Sequence, residues 1–290
     1  MDLLINIAAA AAISAFYAVG YTIVFGLTNI IAFHLGDMAA VSAICFVWLH
    51  STLMVGPLLA IFISVALAVI LGGLSFFPLK SLRADRRMDA LIITMAYMLI
   101  IENVLQLLTH ATTIPFPIRP ESAHCCGGLE VSVTQVYLIA SGGLLVLAMA
   151  VFARSNFWIK MCAVSENEQV AARYGEDVAK IKWTGFLIGT ALVALGGLLS
   201  GMHDSVVSFD MGLMPGIRGF TAALLGTWTN ISGAIIAAVV LTAVEQTFAY
   251  YVSSAYSDVV TFGVLIGILA FAPGGLSEVV QHLRVAQRVT

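Results

Sequence analysis

The chain has 290 residues, 60% of them hydrophobic and only 10% charged, with a formal net charge of −3. A soluble domain carries roughly 25% charged residues, so this chain cannot cover its own surface in water, and its solvent is lipid. The small negative charge offers no basic footprint, which excludes nucleic acid as a partner.

A helix needs about 20 mostly apolar residues to cross the hydrocarbon core. In chain order, spans are expected at 3–25, 36–55, 57–77, 90–109, 134–153, 183–202, 232–252 and 257–273. A shorter apolar piece, 217–229, either crosses at a slant or dips in and returns. The segments are continuous rather than alternating every second residue, which excludes barrel strands. The expected fold is all-α: one polytopic membrane bundle of eight or nine spans covering 1–290. Met1-Asp2-Leu3 lacks a basic n-region and no small-residue cleavage site follows, so no removed signal peptide is expected.

Lys and Arg in the connections set the orientation. Loop 78–89 carries Lys80, Arg83, Arg86 and Arg87; segment 154–182 carries Arg154, Lys160, Arg173, Lys180 and Lys182; the tail carries Arg284 and Arg288. These regions are expected on the cytoplasmic side. Loop 110–133, with Arg119 alone, and 203–216, with neither residue type, are expected outside. Parity then places the N-terminus outside and makes 217–229 a crossing. Small residues at Gly72-Gly73, Gly142-Gly143, Gly196-Gly197 with Gly201, and Gly263 with Gly267 read as close helix packing.

No phosphate-cradling GxxxxGK[ST] occurs, nor HExxH, CxxC or GxSxG. Any ATP that drives this protein is therefore bound by another polypeptide. Cys45 and Cys162 read as small hydrophobes. "HCCGG" at 124–128 offers Cys125 and Cys126 as free thiols or a vicinal disulfide, and with His124 only three of the four ligands of a closed zinc site.

Three polar features interrupt the apolar chain. "NIIAFHLGD" at 29–37 puts Phe33, His34, Gly36 and Asp37 between the first two spans. Irregular backbone at membrane depth needs cover from protein or a water-filled cavity, so this break is expected to line a path. Within the fourth span, Glu102 is followed by Asn103 and Gln106; the spacing i to i+4 places Glu102 and Gln106 on one helical face. They form a polar strip along a route, or an interhelical hydrogen bond that holds the bundle together. Glu245 is expected to bond a neighbouring backbone, and Asp204 and Asp210 to sit at an outer helix end. The third feature is "RSNFWIKMCAVSENEQVAARYGEDVAKIK" at 154–182, too long for a turn and too polar to span. Its "ENEQVAARYG" core predicts a short amphipathic helix closed by Gly175 in a left-handed cap.

That segment also carries a resemblance. "AVSENEQVAARYG" is similar to the cytoplasmic coupling loop of ABC importer permeases, and "RSNFWIKMCA" to the basic stretch before that loop in branched-chain amino acid permeases. "GYTIVFGLTNIIAF" near the start, "GIRGFTAALLG" at 216–226 and "SSAYSDVVTFGVLIGILAFAPGGL" at 253–276 agree in order and spacing. The chain thus resembles the H-type permease of branched-chain amino acid ABC transporters, a family with urea and short-chain amide relatives. The resemblance implies a coupling helix around Asn167–Tyr174, with Glu166, Asn167, Glu168, Ala171, Ala172 and Gly175 in the coupling segment. It implies cytoplasmic ATPase subunits that hold ATP and Mg, a second permease subunit, a periplasmic or extracellular solute-binding protein, and a place in the bacterial inner membrane. No cofactor is expected in this chain. The family's "NFAHGE" corresponds to the break at 29–37: Phe33 and Asp37 keep its type, while His34 falls one position early and Leu35 stands at the family's histidine. Trp158 replaces a usual glycine, and "GTWTNISG" at 226–233 replaces a glycine- and proline-rich turn.

Two other functions compete. A proton-coupled secondary transporter would titrate Glu102, Glu245 and Asp37 and would show inverted repeats; none is visible. An intramembrane enzyme or a membrane scaffold is the other, and the enzyme lacks a catalytic constellation.

Overall fold

The computed structural model describes residues 2–80, 87–117, 132–226 and 230–251, together with 259, 261–264, 266 and 267. The first helix, α1 (Asp2–Thr28), is built on an unbroken apolar run and stops where Asn29 turns left-handed at φ 52°. Asn29 closes the helix by donating its N–H to the Phe25 carbonyl at 2.8 Å, and asparagine is one of few residues that tolerate this conformation. After the break come α2 (Leu35–Ser51), α3 (Pro57–Lys80) and α4 (Arg87–Leu108). Pro57 opens α3, where its fixed φ and missing N–H cost nothing.

The chain continues through a short strand β1 (Ile114–Pro115), then α5 (Val133–Phe152), α6 (Asn156–Glu166), α7 (Glu168–Arg173) and α8 (Val178–Asp204). A second strand, β2 (Val206–Val207), leads into α9 (Leu213–Gly226) and α10 (Ile231–Tyr251). β1 and β2 pair antiparallel, Ile114 opposite Val207 and Pro115 opposite Val206, and tie the ends of α4 and α8 together.

The centre of the bundle is the crossing of α1 and α8. Gly20 and Gly189 face each other there: a methyl group at either would come within 2.8 Å of the other's carbonyl oxygen. Around this pair, α1 packs against α5, α9 and α10, and α8 packs against α2 and α3. Gly197 of α8 lies directly on the backbone of Ala39, and one turn away Ser42 Oγ donates to the Ala194 carbonyl at 2.6 Å. Close helix approach of this kind replaces the hydrophobic drive that lipid cannot supply. Gly72, Gly142 and Gly196 are likewise packed against neighbouring helices and Gly201 against Phe116 and Val207 at the strand pair, whereas Gly143, Gly263 and Gly267 face open space.

The outer surface follows the same logic. Leu58, Phe62 and Leu74 of α3, Ile92, Leu99 and Leu107 of α4, and Leu144 and Leu147 of α5 are exposed. Such rows are at home in hydrocarbon.

Among the described residues, six helices are long and apolar enough to cross a membrane: α1, α3, α4, α5, α8 and α10. They match the expected spans to within a few residues. α2 is shorter, because Met54 turns left-handed at φ 53° and Val55 is already in the next connection. The ambiguous piece at 217–229 is helical from Leu213 to Gly226, 14 residues or about 21 Å at the α-helical rise. The expected span at 257–273 falls largely outside the described residues, as do 81–86 of the basic loop, "HCCGG" at 124–128 and the basic tail.

Candidate functional site

α6 and α7 form a bent arm at the end of the bundle where α5 stops and α8 starts. Ser155 starts α6 by accepting from the Trp158 N–H at 3.1 Å. The side chains of Met161 and Val164 turn inward and are buried. Sequence reasoning missed this first helix: it expected one short helix in 154–182, and two are present. Asn167 separates them in an extended conformation, φ −156° and ψ 102°. It ends α6 by donating its backbone N–H to Ala163 at 3.1 Å, and starts α7 by accepting from Gln169 and Val170 N–H groups, each at 3.1 Å.

The expected left-handed stop is present. Gly175 has φ 87°, its N–H donates to Ala172 at 3.1 Å, and that of Glu176 donates to Ala171 at 3.3 Å. This pair of bonds is the Schellman arrangement that only glycine adopts without strain. Ala171 is buried in the same apolar cluster as Leu27, Met161 and Ile181, which seats α7 on the bundle. Glu166, Asn167, Glu168, Ala172 and Gly175 are exposed, and so are Val170 and Tyr174. Three polar links hold the arm: Lys182 to Glu168 at 2.6 Å, Lys160 to Glu176 at 2.9 Å, and Ser165 Oγ donating to the Gly26 carbonyl of α1 at 2.6 Å. Trp158, Cys162 and Ser165 line a small cleft with Thr22 and Gly26 of α1. Burial, reinforced by the Glu166 carboxylate, raises the Cys162 thiol above its ordinary value.

The second feature is the break before α2. His34, Gly36 and Asp37 are buried and Phe33 is half-buried. The exposed carbonyls of a broken helix need donors, and Thr94 of α4 supplies one: its Oγ1 donates to Ile31 at 3.1 Å. That support was missed in the sequence, where a threonine in an apolar span is commonplace. Gly36 meets the backbone of Gly212 so closely that neither has room for a side chain, and Gly216 lies beside the Tyr21 hydroxyl.

His34 is enclosed by Tyr97 and Phe186, with ring centroids 6.0 and 6.1 Å away. Ser75 Oγ lies 2.7 Å from His34 Nε2 and 2.6 Å from the Gly72 carbonyl. The hydroxyl has one proton. Given to Gly72, it makes Ser75 an acceptor for His34 Nε2–H, which leaves Nδ1 as a bare acceptor. His34 Nδ1 and Asp37 Oδ2 are both buried without a hydrogen-bond partner.

α4 reaches this region with Glu102, half-buried and within Coulombic range of Asp37. Asn103 and Gln106 are exposed, and Asn103 spends its amide on the Leu99 carbonyl of its own helix at 2.7 Å. The structure therefore brings His34, Gly36 and Asp37 together at the start of α2, while on α4 Glu102 is half-buried and Asn103 and Gln106 are exposed.

Residues 3–269 match the family described as the branched-chain amino acid transport system permease component. The chain belongs to that family. The permease is 27% identical over 277 residues to the high-affinity branched-chain amino acid transport system permease protein LivH of Salmonella typhimurium, covering 90% of each chain. It matches BraD of Pseudomonas aeruginosa, a permease protein of the same description, at the same identity and coverage. A probable branched-chain amino acid transport permease protein LivH of Methanocaldococcus jannaschii is 26% identical over 281 residues, which are 90% of this chain and 87% of that one. Among solved structures, PsaBC from Streptococcus pneumoniae in complex with Fab has a TM-score of 0.53 at 12% identity, over 94% of this chain and 93% of that one. At that identity the likeness concerns the fold. The protein is a multi-pass membrane permease subunit of an ABC importer.

Elsewhere in the permease, Glu245 of α10 is buried and pairs with Arg218 of α9 at 3.7 Å. The Thr261 hydroxyl also donates to it. Side chains, in addition to any backbone, therefore hold Glu245, and Arg218 is its cationic partner. An arginine in "GIRGFTAALLG" needs a carboxylate at membrane depth, a signal the sequence did carry. Asp210 accepts from Ser208 at 2.6 Å, and Asp204 lies 3.6 Å from His203 at the end of α8. Among the described residues, no group of three His, Cys, Asp or Glu side chains could hold a metal ion.

Proposed function

We propose that the permease forms part of the path by which an ATP-driven importer brings branched-chain or related amino acids across the bacterial inner membrane. The observation that carries this reading is α7: a helix fixed at both ends, seated through Ala171, and exposing Val170, Ala172 and Tyr174. A helix that presents small and apolar residues to water, yet is held by ion pairs and caps, suits docking into a groove on a separate protein. The partner is a cytoplasmic ATPase that binds ATP and Mg; this chain catalyses no covalent chemistry itself.

Closure of the ATPases pushes α7. Asn167 and the link from Ser165 to Gly26 pass the movement to α6 and to the end of α1, a shear between packed elements. The break at Phe33, His34, Gly36 and Asp37 lies just beyond α1, so the moving end and the path are neighbours in the chain. A second permease subunit completes the path, facing the exposed Asn103 and Gln106 of α4 with the half-buried Glu102 beside them, and a soluble binding protein delivers solute from outside. Urea or short-chain amides would travel on the same scaffold.

The test is co-purification and uptake. Tagged permease is expected to bring down an ATPase, and uptake of leucine, isoleucine or valine with the cognate binding protein is expected to stop when ATP is depleted. Absence of the ATPase, with uptake that survives ATP depletion and collapses with the proton gradient, would establish the secondary-transporter alternative instead. Parallel uptake of urea and acetamide separates the solute classes.

A further inference from the structure

α6 and the last turns of α1 leave a gap between them. Trp158, Met161, Cys162 and Ser165 follow the spacing i, i+3, i+4 and i+7 and share one face of α6. Across from Thr22 and Gly26 of α1 they line a cleft of about 240 Å³, part of it open to the outside. The hydroxyls in its wall spend their protons inside the protein: Ser165 Oγ donates to the Gly26 carbonyl at 2.6 Å and Thr22 Oγ1 to the Ala18 carbonyl at 2.7 Å. The rest of the wall is hydrocarbon, an indole and sulfur. A water needs several polar partners to settle, so the cleft favours an apolar occupant.

Depth and charge narrow the choice. α1 has 27 residues, about 40 Å at the α-helical rise, which matches a bilayer with its headgroup regions. Gly26 is in its last turn, so the cleft opens where headgroups give way to hydrocarbon. Trp158 is held there by Phe152, with ring centroids 5.9 Å apart, and indoles are at home at this depth. The stretch 154–165 contains Arg154 and Lys160 and no acidic residue. Arg154 is exposed and, among the described residues, has no ion pair. Lys160 is 46% exposed and shares its ammonium with Glu176.

We infer that the cleft seats one acyl chain of an anionic phospholipid of the cytoplasmic leaflet, with Arg154 and Lys160 drawing its headgroup. The chain fills space beside the link from Ser165 to Gly26, so α6 moves along α1 over a joint that lipid lines. This goes beyond the importer reading and holds whatever solute is carried.

Cys162 reports from inside the cleft. In the assembled transporter, with Cys45, Cys125 and Cys126 changed to serine, its alkylation by N-ethylmaleimide is timed in phosphatidylcholine nanodiscs with and without added phosphatidylglycerol. Phosphatidylglycerol is expected to slow the reaction about fivefold, the worth of one unshared cation beside an anionic lipid. R154Q/K160Q is expected to abolish the slowing, and soluble glycerol 3-phosphate, which has no chains, is expected not to cause it. Surface charge acts on any nearby thiolate, so A163C without the four native cysteines, at an exposed position of α6, measures that effect alone. Equal rates in both lipids, equal slowing at A163C, or protection by glycerol 3-phosphate would overturn the seat. So would protection that disappears when the ATPase is stripped away, because the partner would then be the occupant. If the serine variants fail to assemble, mass spectrometry of the native transporter is expected to find a retained phosphatidylglycerol that C162F, which fills the cleft, loses; an unchanged lipid count would overturn the inference.

Discussion

Replacing Glu245 with alanine removes the carboxylate that faces Arg218 across α9 and α10. Glu245 is 3% exposed, and the guanidinium lies 3.7 Å away with its side chain 29% exposed. Loss of one partner from a buried pair costs about 3–5 kcal/mol, because the other charge stays behind. The Arg218 side chain keeps that part of its surface exposed, so water screens the stranded charge and sets the cost near the lower end. The Thr261 hydroxyl loses its acceptor at the same time, worth about 1.5–3 kcal/mol for a bond to a charged group and partly counted already. In detergent, thermal unfolding of the purified permease is expected about 10 °C lower in E245A, at roughly 2–4 °C per kcal/mol for a large domain. The double variant R218M/E245L, which removes both charges, is expected within about 1 kcal/mol of the parent. An E245A variant as stable as the parent would refute the pairing, and so would a double variant as unstable as the single one.

Ala172→Glu places a bulky charge on the outer side of α7; uptake and solute-stimulated ATP hydrolysis are expected to separate while the subunit still folds, and unchanged uptake would remove α7 as the docking element. Gly175→Ala puts a side chain at φ 87°, expected to cost about 1–2 kcal/mol and to loosen the exit of α7, measured as faster proteolysis between 173 and 177. Gly197→Val forces α2 and α8 apart at their closest point; overpacking typically costs about 1–3 kcal/mol, and detergent unfolding reads it directly. The Cys162 thiol, raised by burial and by Glu166, is expected to alkylate more slowly than a free cysteine near pH 8. The gap should narrow as pH rises and the thiolate forms, and E166Q should speed the reaction.

The long apolar spans were legible because lipid imposes one requirement on every residue that faces it, and composition alone reports it. The boundary at Gly175 was legible for a different reason, since left-handed caps select few residue types; Asn29 carried the same signal, but the first span was expected to end at 25. What the sequence concealed depends on pairs of distant residues. α6 looked like a basic loop because its inward residues, Met161 and Val164, have partners on other helices. Arg218 and Glu245 lie 27 positions apart, and Thr94 supports Ile31 from 63 positions away. The i to i+4 argument placed Glu102 and Gln106 on one face correctly for an isolated helix. It could not tell which edge of that face turns inward: Glu102 is half-buried and Gln106 is exposed. The small contacts of Gly36 with Gly212 and Gly20 with Gly189 are equally silent in the sequence, because a glycine does not announce its neighbour.

Asn167 caps the end of one helix and the start of the next, so the corner between α6 and α7 has no spare length. One inserted residue before it would turn everything that follows by about 100° on the helical circle, swinging Ala171 out of its seat and Ala172 toward the bundle. Substitutions along the arm can be absorbed singly, but changes in its length cannot. The angle at which α7 leaves the bundle is therefore stored in a residue count rather than in a contact, and it can drift among relatives only through rearrangements that also remake the exposed face of α7.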